Sequence, residues 1–337
     1  MMKSMKFAQA IESALFQAMA EDKNVFIMGE DVHMLRINLY ARFGKDRVRS
    51  TPISESGFLG AGVTAAMTGL RPVVEIMLID FISVAMDAVL NAAAKNFFFS
   101  GEKWNVPLVI RASCGGGYGD GGQHEQSLWG WLAHIPGLSI VVPSNPADAG
   151  GLMLASIYHN HPVIYLEHKM LADYWLDYLG IGGRSNISFD PPPNGIEGAV
   201  PNTWQPTPLG QLNVLREGTD ITIVSLGIDV HRSLAAATDL GKQGISAEVL
   251  DLRSVVPIDT LSLRQSVEKT GKLLVVDEDY KMFGLSGEVC ALLAEQDLVF
   301  KYGRVCTEGT IPYSRALEDK VLPSKKRIYD EAIRLCR

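Results

Sequence analysis

TPISESGFLGAGVTAAMTGLRPVVEIMLIDF, Thr51 to Phe81, sets a helix pattern directly against a buried-strand pattern. GFLGAGVTAAMTGL (57–70) is built of small and apolar residues, and PVVEIML (72–78) is a short apolar run of strand length. The couplet recurs outward on both sides. Upstream, VFIMGEDV (25–32) is an apolar run that ends in Gly and acids. Downstream, PLVIRAS (107–113), LSIVVP (138–143) and PVIYLE (162–167) are strand candidates, separated by the helical stretches SVAMDAVLNAAAKNFFF and PADAGGLMLASIYHN. Strands alternating with helices through short loops predict an α/β fold with a mostly parallel sheet covered on both faces.

The first segment also reads as a helix, with Phe7, Ile11, Leu15 and Met19 recurring every fourth residue. From Gly180 the chain turns rich in Gly, Pro and Asn, with no sustained period. A second alternating block follows, with strands DITIVSLG, SAEVLDL and KLLVVDE and helices between them. The expected organisation is two α/β domains, residues 1–180 and 208–337, joined by a linker over 181–207.

A chain of 337 residues is long enough for two cores. Its formal net charge of −7 and lack of any basic run argue against nucleic acid or an anionic membrane as main partner. The apolar window from Val73 contains Glu75, Asp80 and Asp87, too many acids for a lipid-spanning helix. Cys114, Cys290, Cys306 and Cys336 are scattered without C-x-x-C spacing, which predicts reduced thiols in a cytoplasmic protein rather than disulfides or zinc.

GGGYGDGGQHEQSLWGW (115–131) fits two cofactor signatures at once. From Gly117 it matches G-x-G-x-x-G, but polar QHEQS delays the helix that would receive a pyrophosphate, and the next strand candidate ends in Pro143-Ser144-Asn145. From Gly119, GDG with Asn145 downstream resembles the start of a magnesium-diphosphate site. Asp120, however, lies inside the glycine stretch, where nothing preorganises it, and the bland reading is a mobile loop with one solvated Asp. No metal ligands are therefore assigned to this chain.

The stretch 51–81, together with GQHEQS, AHIPGLSIVVPSNPADAGGLMLASI and, further on, DLRSVVPIDTLSLRQSVEKTGKLLVVDE and TIPYSRALEDKVLPS, resembles the β-subunit of thiamine-diphosphate-dependent 2-oxoacid dehydrogenases. These are the E1β chains of the pyruvate, branched-chain and acetoin complexes. The resemblance runs from about residue 5 to the C-terminus. It implies a transketolase-like pyrimidine-binding domain followed by a transketolase C-terminal domain, and thiamine diphosphate shared with an α-subunit that holds the Mg2+, in an α2β2 heterotetramer. A lipoyl acyltransferase is a possible further partner. By the same resemblance Glu55 is the glutamate that activates the cofactor, Phe81 the aromatic that stacks on its aminopyrimidine, and His124 the histidine beside the reacting carbon.

These roles make physical sense. A carboxyl group bonded to the pyrimidine N1′ shifts the ring toward the imino tautomer that ionises thiamine, and an apolar site suits such a proton-sharing acid. Glu55 opens a segment of small and apolar residues, so an apolar surrounding is expected. Stacking is worth about 0.5–1.5 kcal/mol beyond burial for an aromatic such as Phe81. Imidazoles in general titrate near neutrality, which suits a histidine at this position to exchange protons with substrate. His134 also matches, and is expected to be structural, satisfied by backbone at a turn.

Three departures stand out. Only HMLRINLY separates MGEDV from ARFGKDRV, where the family has a longer glycine-containing stretch. His159 and His161 occupy the positions of a family potassium site, and imidazole is a poor potassium ligand, so no such ion is expected. The linker is long and proline-rich, and the glycine loop is acidic. Two rival readings stand beside the dehydrogenase: a thiamine-dependent carboligase or split-transketolase subunit, and a non-catalytic paralogue that only binds a partner.

Overall fold

The computed structural model describes residues 2–172 and 191–337. Two large sheets form the body of the described residues, beside a two-stranded ribbon. The first runs in the order β12-β6-β7-β5-β4-β2-β3, comprising β2 (Val25–Glu30), β3 (Val48–Thr51), β4 (Arg71–Leu78), β5 (Val109–Cys114), β6 (Ser139–Val141), β7 (Val163–His168) and β12 (Ser254–Val256). Every neighbouring pair is parallel except β12 with β6. The second runs β14-β13-β10-β11-β9, from β9 (Asn213–Arg216), β10 (Ile221–Ser225), β11 (Ala247–Asp251), β13 (Lys272–Tyr280) and β14 (Lys301–Thr307), with only β9 antiparallel. The mostly parallel α/β class read from the sequence is the one observed.

Helix–strand packing follows from the residues identified at the outset. The helix Glu55–Met67 lies on β4, and a Cβ on Gly62 would come within 2.5 Å of Val74, so glycine is what permits that close approach. In the helix Phe7–Glu21 the residues Phe7, Ile11, Leu15 and Met19 are all buried, as their spacing requires. Asn145, Asp259 and Ser324 cap the helices that follow them, each accepting from a backbone N–H three residues on. SVAMDAVLNAAAKNFFF, expected as one helix, is instead divided. A 3₁₀ segment Ile79–Ala85, a π segment Ala88–Ala93 and a short helix Asn96–Phe99 replace it. Side chains there bond backbone in competition with the helix, Ser83 donating to the Asp80 carbonyl (3.0 Å) and Ser56 to the Val84 carbonyl (2.5 Å).

The expected domain limit at 180 and the first ten residues of the expected linker, 181–190, lie outside the described residues. Beyond them, β8 (Glu197–Val200) pairs antiparallel with β1 (Lys3–Lys6), and the Trp204 indole donates to Ser13 (3.1 Å) on the first helix. β12 crosses back to extend the first sheet, which satisfies the open edge of β6. Polar groups also join the two sheets' units. The Trp129 indole donates to Asp277 (2.9 Å), Arg253 pairs with Asp148 (2.6 Å), and His231 meets the Ser144 carbonyl (2.6 Å). All four cysteines are free. Among the described residues no helix is long and apolar enough to cross a membrane.

Candidate active site

Parallel strands end their C-termini on one edge, and ligands of open α/β sheets bind in the crevice outside that edge. Glu55, Phe81 and His124 hang from it. Glu55 begins the helix that follows β3, Phe81 lies just after β4, and His124 sits in the glycine loop after β5. The adjacent ends add Glu30 from β2, and His168 and Lys169 from β7.

The structure brings Phe81 and His124 into edge-to-face contact, with ring centroids 5.8 Å apart and planes at 90°. Both are half-buried. Glu55 is half-buried as well, and its neighbour is Glu30, whose carboxyl is pushed above the usual range by burial and by the charges of Asp31 and Glu55. The surroundings this chain offers Glu55 are therefore acidic on one side, not apolar as expected from SGFLGAGVTAAM. The acids come from the end of β2, which local sequence does not place beside Glu55. Ser56, the next residue, holds the helix start to the segment carrying Phe81 through its bond to the Val84 carbonyl.

His124 is held from three sides. Its backbone N–H donates to the Gly121 carbonyl (3.0 Å), its ring Nδ1 lies 3.3 Å from the Asp120 carbonyl, and its own carbonyl accepts from the Lys169 ammonium. Lys169 is only 1% exposed, and burial lowers its pKa against the pull of Glu125, Asp120 and Asp80. Its ammonium also lies 5.2 Å from the Tyr118 ring centroid. Asp80, beside Phe81, is buried; burial raises its carboxyl despite the bond from Gln126 (2.7 Å). Gln126 accepts in turn from Tyr280 of the second sheet (3.0 Å), while Asp80 Oδ2 has no hydrogen-bond partner among the described residues.

The glycine loop is not the mobile, solvated stretch its composition suggests. Gly115 N–H donates to the Gln126 carbonyl (3.1 Å) and closes the loop, Gly116 N–H donates to Glu278 (2.9 Å), and Tyr118 is fully buried. Alternate glycines 115, 117, 119 and 121 have φ between +74° and +117°, conformations that turn successive amides inward. Asp120 is half-buried. Neither short cofactor signature finds its context: the next helix, Trp129–Ala133, starts well past the glycines, and Asn145 is occupied in capping, accepting from Asp148 N–H (3.0 Å). No group of three or more potential ligands that could hold a metal occurs among the described residues. His159 and His161 turn toward each other, His159 Nδ1 lying 3.1 Å from the His161 carbonyl. His134 is exposed and borders a groove with Trp131 and Phe283; among the described residues its ring makes no hydrogen bond, contrary to the expected backbone satisfaction. It lies at a helix end that faces outward.

A chain of buried ions was missed. Arg36 bonds both oxygens of Glu75 (3.0 and 3.2 Å), Arg111 bridges Glu75 (2.5 Å) and Glu167 (2.8 Å), and Ser113 donates to Glu167 (3.2 Å). With Glu30 they border a cavity of about 390 Å³ at the strand ends. The signal was present: the buried strands PVVEIML, PLVIRAS and PVIYLE each carry one charge, and Glu75 faces Arg111 in register. HMLRINLY, the shortened stretch, supplies Arg36 to this network.

The family described as "Transketolase, pyrimidine binding domain" matches residues 3–173, and "Transketolase, C-terminal domain" matches 210–328. The chain is 38% identical to the acetoin:2,6-dichlorophenolindophenol oxidoreductase subunit beta of Cupriavidus necator, covering 97% of this chain and 96% of that one. It is 39% identical to the pyruvate dehydrogenase E1 component subunit beta of Staphylococcus epidermidis, over 98% of each chain. The 2-oxoisovalerate dehydrogenase subunit beta of Bacillus subtilis is 39% identical, over 88% and 86%. Among solved structures, a split gene transketolase in an inactive beta4 tetramer superposes with a TM-score of 0.78 at 20% identity over 98% of each chain, a likeness of fold.

Proposed function

The chain belongs to the family of transketolase-like β-subunits of 2-oxoacid and acetoin dehydrogenases, and from that premise we propose that it is the β-subunit of a heteromeric thiamine-diphosphate-dependent dehydrogenase. The enzyme cleaves a 2-oxo acid or acetoin next to its carbonyl and passes the acyl unit to an acceptor. An α-type subunit completes the site in an α2β2 assembly and holds the Mg2+ and diphosphate.

The observation that carries the reading is the convergence of Glu55, Phe81 and His124 on successive loops at one sheet edge. The residues present fit a pyrimidine ring: a half-buried carboxyl, a half-buried aromatic face, and the unpartnered Asp80 Oδ2 that can take a donor beside it. Bound thiamine supplies a ring carbon that ionises and stores the electrons of the broken C–C bond. Glu55 would hold or release a proton at the pyrimidine, Phe81 would stack on it, and His124, fixed by Lys169 and the loop backbone, would give or take a proton near the substrate.

Reconstitution tests this. With its co-purified α-subunit and an artificial electron acceptor, the complex should turn over pyruvate, branched 2-oxo acids or acetoin, and Glu55→Ala should lower turnover by about 10²-fold or more while the chain stays folded. An active Glu55→Ala complex refutes the role.

A further inference from the structure

We propose that Glu125 and Glu318 form a carboxyl clamp, sharing one proton, that holds the glycine loop against the helix Arg315–Val321 and so positions His124. The inference rests on the reading of His124 given above and adds two residues that position it.

The geometry is that of a clasp across the two sheets' units. Glu125 Oε1 accepts from the Tyr118 N–H (2.6 Å) and its Oε2 from the Gly121 N–H (3.2 Å), while both oxygens of Glu318 accept from the Gly119 N–H (3.1 Å each). Three backbone donors of one loop thus converge on two carboxyl groups, and both side chains are completely buried. The inward aim of Gly119 and Gly121 depends on φ values of +74° and +76°, which glycine adopts without the steric cost a Cβ would bring. Glu125 follows His124 directly, so the bonds it makes to 118 and 121 fix the turn from which the imidazole projects toward Phe81.

Burial and the neighbouring Glu125 carboxyl together raise the Glu318 carboxyl, so the pair keeps one proton rather than two full charges. Glu318 is the holder, its pKa pushed up to about 9 by burial and by the bond to and charge of Glu125, against the Gly119 amide and Arg315. The other charges facing the pair are accounted for. Arg315 lies 3.4 Å from Glu318 and also pairs with Asp319 on the same helix; Lys169, from the end of β7, faces Glu125, Asp120 and Asp80. When the shared proton leaves to water, two buried carboxylates stand in contact, and repulsion favours a loop lifted from Glu318. The proton is held only in the docked state, so docking weakens steadily as pH rises from the ordinary glutamate value of 4.5 to about 9 and levels off above it.

Amide hydrogen exchange on the full chain, alone and reassembled with its α-subunit, tests the clamp. After correction for the intrinsic base-catalysed rate, protection at Tyr118, Gly119 and Gly121 should fall as pH rises toward about 9. Glu318→Gln cannot ionise and should keep the three amides protected across that range, moving the alkaline limb of turnover upward. Glu318→Ala should speed their exchange by roughly tenfold already at neutral pH, the factor one hydrogen bond of ordinary net strength supplies. If Glu318→Gln follows the wild-type pH course, the titrating group is another, such as Lys169, and the clamp is overturned. Protection that does not change with pH in the wild type overturns it equally. A loop that loosens while kcat holds instead overturns the assignment of His124.

Discussion

Glu278 is the carboxylate on which the two halves of the protein meet, so replacing it with Gln is the most direct probe of how they are held. One oxygen accepts from His168 (2.7 Å) at the end of β7 and from Gly116 N–H (2.9 Å) at the root of the glycine loop; the other pairs with Arg232 (2.6 Å). The group is only 3% exposed. Removing one partner of a buried ion pair costs about 3–5 kcal/mol. Arg232 keeps Asp229 (2.8 Å) and Gln keeps one acceptor, so the low end, about 3 kcal/mol, is expected for Glu278→Gln. With a urea m-value of about 3 kcal/mol/M, the midpoint should fall by about 1 M at neutral pH. Because the lost bonds join separate sheets, the unfolding curves followed by fluorescence and by far-UV circular dichroism should also diverge.

The pH dependence gives a second, independent check. Burial alone would raise the Glu278 pKa, but His168 and Arg232 hold it well below the ordinary value of 4.5. A carboxyl with a depressed folded-state pKa contributes stability above its unfolded pKa and loses it as pH falls toward the folded one. The gap between wild type and Glu278→Gln should therefore be constant from neutrality down to about 5 and close below about 4.5. A midpoint shift under about 0.3 M, or a gap that does not narrow in acid, refutes the view that this carboxylate welds the halves together.

Other substitutions separate packing from chemistry. Phe81→Leu keeps an apolar side chain but removes the ring, and should weaken thiamine diphosphate binding by about threefold to tenfold in a calorimetric titration of the assembled enzyme. Gly62→Leu drives a side chain into Val74, 2.5 Å from where its Cβ would stand, and should cost about 1–3 kcal/mol by urea midpoint with the site residues unchanged. Arg111→Met leaves Glu75 and Glu167 without the guanidinium that bridges them at 1% exposure; a loss of about 3–5 kcal/mol should appear in thermal unfolding. Lys169→Met frees the His124 carbonyl and should lower kcat with less effect on KM, read in steady-state kinetics with the α-subunit present.

Much of the fold was readable because it rests on local regularities. Runs such as PVVEIML and KLLVVDE became β4 and β13 nearly residue for residue, since a strand buried on both faces has to be continuously apolar. The failures have equally local causes. SVAMDAVLNAAAKNFFF scans as one helix, yet it is divided where Ser56 donates to the Val84 carbonyl and Ser83 to the Asp80 carbonyl just ahead of it. KYGRVCT, β14, has too many polar residues to stand out, and is a strand because β13 offers it an edge in register from Lys272 to Asp277. Glu55 and Phe81 were legible only through the resemblance, because a carboxylate at a helix start and an aromatic after an apolar run have ordinary structural uses.

The sequence by itself determined the class of fold, the alternation that sets strand ends on one edge, and the candidates Glu55, Phe81 and His124. The tertiary structure alone decided what surrounds them. Glu30 reaches Glu55 from a neighbouring strand, Lys169 takes the His124 carbonyl across 45 positions, and Glu318 closes on the glycine loop from 199 positions away. Hydrophobic periodicity is a local property and survives in a linear reading. The partners of buried charges are chosen by proximity in space, in a medium where an unpaired ion costs too much to leave alone, and no spacing along the chain records that choice.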